Sequence, residues 1–394
     1  MTVAAPAAAR VDVRTLFESS DIPAIEWNSL ARRGFHLHNW FVSAERCGWS
    51  ARHVTLTRGG ALLGVVPAYL TGRDSLHDLH DRWLGPLRWL AEAGMAIRPV
   101  ISVQAPYAIM SQPLGDAEAR SAALLHRVFE ALEASAYADG AKAVAWPAVD
   151  PAATQLLQVA LERGYSAVYT GATARINVEW NSFEEYLSSR SKNVRRTIKA
   201  DLSSIRSARL HTELESDFRH AVPAIDTLYR EAFRRRNLRD APVHPNIFAE
   251  LSQRPSSGIR AQLTWSGSRL VGSSLNLMTP DLLEGTFSAF SAEHRHGPAY
   301  YNDLCYEPIR LACRERIAAI DLGATALYTK VLRGAVLRPR LTLIKGTTPA
   351  RHRVLSLLGQ LVARRTQWKE RRALGPLWSK ISGSQRQGVW LDGV

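Results

Sequence analysis

The sequence predicts a mixed protein, α+β or α/β, made of two units in series. Each is a mostly antiparallel sheet flanked by helices. Three observations predict this. Short apolar runs at strand spacing alternate with longer runs whose apolar residues recur at helical spacing. The same order of strands and helices occurs once before residue 172 and again after it. The chain has 394 residues, which at about 150 residues per core fits roughly two domains.

Residues 1–20 read as a flexible tail. They are Ala-rich and lack the basic segment before an apolar core that an export signal needs. The first unit spans 21–172. Residues 21–30, with Trp27, form a short amphipathic helix. Residues 53–56 and 64–70 read as strands around the turn Arg58-Gly59-Gly60. The Gly-, Pro- and Trp-rich stretch 81–113 has no clear period and reads as loops with short strands. Residues 117–139 form a helix whose apolar face holds Leu124, Leu125, Val128 and Leu132. A strand at 143–146 and a helix at 151–163, stopped by Gly164, complete the unit.

The second unit spans 173–345. A strand at 175–179 precedes a helix capped by the Ser182 hydroxyl, with Glu185 three residues on. That helix is expected to run unbroken to about Ser207. Residues 223–237 form another helix, which carries Arg234-Arg235-Arg236. Strands follow at 260–265, 270–278 and 283–290, then a helix over 299–316 and a strand at 318–322. After a small-residue turn come Tyr328, Lys330 and Arg333-Gly334, then a last strand at 336–344. Residues 346–394 read as a basic amphipathic helix and tail with Trp368 and Trp378.

Composition narrows the function. Lys and Arg number 50 against 36 Asp and Glu, a net charge of +14. Either the bias is compositional, or the chain meets a polyanion such as a phosphate-bearing substrate, RNA or an acidic membrane face. The excess is local. Residues 190–209 hold seven basic residues against Asp201 alone, and 346–394 hold nine against two acids. No 18-residue apolar run is present, which excludes a spanning helix. Cys47, Cys305 and Cys313 have no metal-ligand spacing and cannot all pair, so a reduced, cytoplasmic setting is expected.

Several segments carry a family resemblance. They are residues 186–198 (YLSSRSKNVRRTI), 271–277 (VGSSLNL), 301–307 (YNDLCYE), and Asp321-Leu322-Gly323 through Lys330 and Arg333-Gly334. In the first half, 26–30 (EWNSL) and 64–70 (GVVPAYL) fit as well. In order and spacing these resemble the acetyltransferase (GNAT) superfamily, in the branch similar to FemAB-like peptidoglycan aminoacyltransferases. The resemblance covers about residues 22–345. It implies two tandem GNAT-like domains with catalysis mainly on the second. It also implies acyl or aminoacyl transfer from acyl-CoA, an acyl-carrier protein or aminoacyl-tRNA to a small-molecule amine, with no tightly bound cofactor.

The chemistry sets what the residues must do. Amide formation needs a held donor carbonyl, a route for the amine proton, and a proton or positive charge for the leaving group. The resemblance implies that Lys330 stabilises the transition state. Tyr328 is a phenol that can protonate a leaving group; the alternative is that it packs in the core and Lys330 is a surface charge. Asp303 and Glu307, four apart, share a helix face and are candidate bases or amine binders, or simply a solvated face.

His294-Arg295-His296-Gly297-Pro298-Ala299 stands where the resemblance implies a donor pyrophosphate loop, with Arg333 also on the donor side. His294 departs from the Gln or Arg of that loop, and Pro298 removes an N–H donor. That shifts the reading toward bulkier donors. Glu293, His294 and His296 are too tightly spaced for one ion, so no metal is expected. Arg190, Lys192, Arg195 and Arg196 either hold a phosphate of donor or acceptor or form a solvated helix face. The basic tail suits tRNA, peripheral contact with a membrane, or packing on the body. A function of another class also stands: a non-catalytic nucleic-acid-binding protein on a degenerate scaffold.

Overall fold

The computed structural model describes residues 10–72, 98–108, 112–237, 241, 243–253, 258–295 and 297–378. Most of the loop-rich stretch 81–113 and His296 therefore lie outside the described residues.

The first unit begins earlier than the sequence suggested. Residues placed in the flexible tail form β1 (Val11–Leu16), antiparallel to β3 (His53–Arg58) in full register. The alternation Val11, Val13 against Asp12, Arg14 is a half-buried strand pattern, overlooked beside the Ala-rich run. Just beyond it, Ser19 is buried, and its hydroxyl donates to Glu45. Next come α1 (Ala24–Leu30), α2 (His38–Arg46) and β2 (Ser50–Ala51), and, after β3, β4 (Ala61–Val66), β5 (Tyr69–Thr71), β6 (Val100–Ser102) and β7 (Leu114–Gly115). The unit continues with α3 (Ala122–Ala138), β8 (Ala143–Val149), α4 (Thr154–Glu162) and β9 (Ser166–Asn177).

Two helices then bridge to the second unit. The expected single helix is in fact α5 (Phe183–Ser188) and α6 (Lys192–Ser207), each with its own serine cap. Ser182 accepts from Glu185 N, and the Glu185 carboxylate reaches back one residue further than a capping box, to Asn181 N at 2.8 Å. Ser191 restarts the helix by accepting from Val194 N.

The second unit opens on an edge strand, β10 (Leu210–Glu215), and not at 175. It proceeds through α7 (Val222–Asn237), α8 (Ile247–Ser252), β11 (Ile259–Ser266), β12 (Arg269–Met278) and β13 (Leu282–Phe290). A helical segment follows, made of α9 (Pro298–Tyr301), a π-helical turn (Asn302–Tyr306) and α10 (Glu307–Glu315). Then come β14 (Ala319–Asp321), α11 (Leu327–Leu332), β15 (Val336–Gly346) and α12 (Pro349–Leu374).

Among the described residues the strands form a four-stranded sheet and an eleven-stranded sheet, the latter in the order β10-β11-β12-β13-β14-β9-β15-β8-β6-β5-β2. This order shows an exchange. β9, the last strand of the first unit, pairs with β14 of the second. β15, the last strand of the second, pairs with β8 of the first. The boundary expected at 172/173 thus falls inside a strand. The core is also shared: Trp27 and Trp40 lie in one buried cluster with Phe248 and Phe287. The architecture is a mixed α+β fold of two units joined through the eleven-stranded sheet, with the four-stranded sheet on the first unit alone.

Residues 346–374 are not a free tail. Thr348 caps α12, whose Leu355, Leu358, Val362 and Ala363 are buried among β9 and β15 residues. Approach is so close at Gly359 that a Cβ there would lie 2.6 Å from Val168.

Candidate active site

β13 and β14 pair in parallel only over Leu282–Glu284 and Ala319–Asp321, then diverge. The base of this fork is an ion cluster. Glu284 and Asp321 face each other across the pair, and Arg33, from the first unit, bonds to both. Burial works against the Arg33 charge, but the two carboxylates outweigh it and hold its pKa above the usual value. Burial also pushes the Glu284 carboxyl upward.

Beyond the fork lies a cavity of about 520 Å³, walled by β13 residues 285–290, the loop 322–326, α9 and α7. Two backbone features shape it. Pairing of β13 with β12 slips between Ser273 and Leu275, so Phe287 and Ser288 together oppose Ser274. Phe287 takes φ 50, a left-handed conformation costly for an aromatic residue. On the other wall, Gly323 (φ 76) and Ala326 (φ 51) turn the chain sharply from β14 into α11. That turn aims Lys330 inward.

Lys330 is 2% exposed and lines the cavity, and its Nζ donates to the Leu322 carbonyl oxygen. Burial lowers its pKa to about 8, partly offset by Cys305 and Asp321. At neutral pH it is still mostly an ammonium. Arg235, Arg236 and Arg295 add three guanidiniums to the lining, Arg235 anchored on the Phe290 carbonyl at 2.6 Å. Tyr107, Tyr229, Tyr300 and Tyr301 supply aromatic walls. The described lining contains no carboxylate and no imidazole. Such a cavity suits an anionic or carbonyl-bearing ligand.

The residues singled out from the sequence divide. Lys330 and Arg295 line the cavity. Tyr328 does not: it is 47% exposed, because residues two apart on a helix face away from each other. Arg333 is buried behind α11, donating to Tyr306 Oη at 2.9 Å and Asp201 at 3.1 Å and stacked on Tyr301. Glu307 pairs with Arg310 on the helix surface.

Asp303 lies in the π turn, buried, with both carboxylate oxygens 2.8 Å from the Thr264 hydroxyl. Burial raises its pKa to about 7, against hydrogen bonds that lower it. The π turn also rotates Glu307 away from the face a regular helix would give it. In the loop before α9, His294 Nδ1 bonds the Ser291 hydroxyl, Gly297 is the cap residue of α9, and Ala299 is buried. None of these three lines the cavity.

The other basic cluster sits elsewhere. Lys192 and Arg196 are exposed on α6, and Arg195 bonds the Ser188 and Arg190 carbonyls. Arg190 stacks on Trp180 and Tyr186 and covers Gly334, where a Cβ would lie 2.1 Å from its Nη1.

The sequence reading missed Arg235, Arg236 and the tyrosines as site residues. The triple arginine at the end of α7 was visible, but nothing local says which face meets a cavity. Among the described residues no group of His, Cys, Asp and Glu is arranged to hold a metal ion.

The two-unit fold thus carries a forked parallel strand pair with a buried lysine beside it. Residues 18–346 match the FemAB-like family model, described as peptidoglycan biosynthesis/recognition, and the chain belongs to that family. Solved structures share the fold. FemX aligns at 12% identity and a TM-score of 0.56, covering 82% of this chain and 96% of its own. L-PGS from Bacillus licheniformis aligns at 10% identity and 0.51, covering 79% and 89%. A conserved protein of unknown function from Bacteroides thetaiotaomicron aligns at 10% identity and 0.54, covering 84% and 100%. A comparison with curated protein sequences found no match.

Proposed function

We propose that the chain is an acyltransferase that moves an aminoacyl or other acyl group from an activated ester or thioester to an amine, in the cavity between β13 and β14. The buried Lys330 ammonium at the cavity floor carries this reading. The amine nitrogen attacks the donor carbonyl, a C–N bond forms, and the C–O or C–S bond breaks. Lys330 stabilises the oxyanion of the tetrahedral intermediate and the charge on the leaving group. With no carboxylate or imidazole in the described lining, the amine enters neutral and passes its proton to the leaving oxygen or sulfur or to water.

Aminoacyl-tRNA is the donor this reading favours over acyl-CoA and acyl-carrier protein. Family membership supports it. So does the cationic helix α6, which packs against the cavity-wall helix α9 and leaves Lys192 and Arg196 exposed. The family description supports an amine of a peptidoglycan-type precursor as acceptor. A screen of charged tRNA, acyl-CoA and acyl-carrier protein, read by the mass of the amide product, tests this. Product from charged tRNA is expected. Product from acyl-CoA alone would overturn the donor, and no product from any donor would overturn the reaction.

A further inference from the structure

Helix α12 has three faces. One is buried on the sheet through Leu355, Leu358 and Val362. Another is apolar yet open to solvent: Val354 is 39% exposed, Leu357 62%, Leu361 55% and Trp368 58%. At 100° per residue these four fall within about 60° of arc, and they run for about 21 Å along the helix. Single exposed apolar residues need no explanation, but an ordered stripe of four does.

The flanks of the stripe are cationic. Arg353, Arg364 and Arg371 line one side, and Arg365, Lys369 and Arg372 the other, all exposed. The helix has one carboxylate, Glu370, and it is turned inward, where it accepts from Ala172 N and Tyr169 Oη. The outward charge of α12 is therefore of one sign. Among the described residues no helix is long and apolar enough to cross a membrane, so this one can lie on a surface but not span it.

We infer that the outer face of α12 docks on an anionic lipid bilayer, with Val354, Leu357, Leu361 and Trp368 among the acyl chains and the flanking cations at the headgroups. Charge and shape together select this occupant. Polyanionic RNA satisfies the cations, but offers the aliphatic side chains nothing to enter. A second copy of the same face satisfies the aliphatic stripe, but sets two rows of like charge against each other. An anionic bilayer satisfies both. Long cationic side chains beside an apolar stripe can reach outward to headgroups while their stems stay apolar.

Co-sedimentation of the full chain with vesicles tests the inference. Binding is expected to vesicles of phosphatidylcholine and phosphatidylglycerol in equal parts, and not to phosphatidylcholine alone. Leu357→Ser with Leu361→Ser is expected to weaken binding by more than about tenfold. The melting temperature should not change, because both side chains are exposed in the fold. Arg364→Gln with Arg365→Gln is expected to weaken it comparably and to flatten its salt dependence. Failure of the wild type to bind anionic vesicles, or unchanged binding by the serine variant, overturns the inference. So does a dimer in sedimentation velocity that the serine variant abolishes. The readout is independent of the acyl-transfer reading.

Discussion

The Lys330 ammonium donates to the backbone carbonyl of Leu322, eight residues earlier, across the mouth of the turn that joins β14 to α11. The bond closes the turn and fixes where the charge sits in the cavity. Lys330→Met keeps the volume and removes the charge, so the protein should fold with an unchanged or higher melting temperature. Turnover should fall about 100- to 1000-fold, the cost of losing one oxyanion stabiliser. Tyr328→Phe, two residues away on the solvent side, should leave turnover unchanged. Steady-state rates and thermal melts of both variants check this.

The same lysine sets a pH limit. Burial lowers its pKa to about 8, so the charged form that the proposed chemistry needs is lost as pH rises through 8. The turnover rate should therefore fall on the alkaline side with a midpoint near 8. The residual rate of Lys330→Met should lack that limb.

Asp303 predicts a pH-dependent stability. Its folded pKa of about 7 lies above the 3.8 usual for an aspartate, so between them the folded state holds a proton that the unfolded state has lost. Stability from this group is then greatest at low pH, falls as pH rises across that window, and is flat above it. Asp303→Asn keeps the shape, and at pH 8 should be more stable than the parent by up to about 4 kcal/mol. Denaturant titrations across the window measure the difference and its disappearance in the variant.

Arg33 is the counter-charge for two buried carboxylates that are far away in sequence. Arg33→Met removes the guanidinium bonded to both Glu284 and Asp321 and should cost about 3–5 kcal/mol. Part of the loss should be recovered at acid pH, where Glu284, whose pKa is raised, takes a proton. Melting temperatures at two pH values test both halves.

Arg236 and Arg295 both line the cavity. Arg236→Ala with Arg295→Ala should raise the KM for an anionic donor about tenfold or more, leave the melting temperature unchanged, and reduce the sensitivity of KM to salt. Donor titrations at low and high salt read the effect.

Much of the fold was legible because its signals are local. The strands around 260–290, the capped start at Ser182 and the glycine turn before α11 each announce themselves within a few residues. The exchange of β9 and β15 does not, because the partners lie far apart in sequence, with Ile344 of β15 opposite both Ser166 of β9 and Ala145 of β8, and no local pattern selects them. The site was legible only at Lys330 and Arg295, which lie in short motifs. The opposed directions of Tyr328 and Lys330 follow from 3.6-residue periodicity once the helix start is known, and Ala326 at φ 51 places that start. Arg33 answers Glu284 over a separation of 251 residues, and no spacing rule reaches that far.

The exchanged strands also bear on how the chain is made. β8 gains its partner β15 only when residues 336–346 exist, nearly two hundred residues later. During synthesis the first unit waits with an open, apolar strand edge, and loop closure over that distance is slow. A ribosome-bound chain ending near residue 172 therefore offers that edge to chaperones or to other nascent chains. Release of the full length closes it. Folding of the two halves is then one event timed by the appearance of β15, and separately expressed halves should be found together or in aggregates.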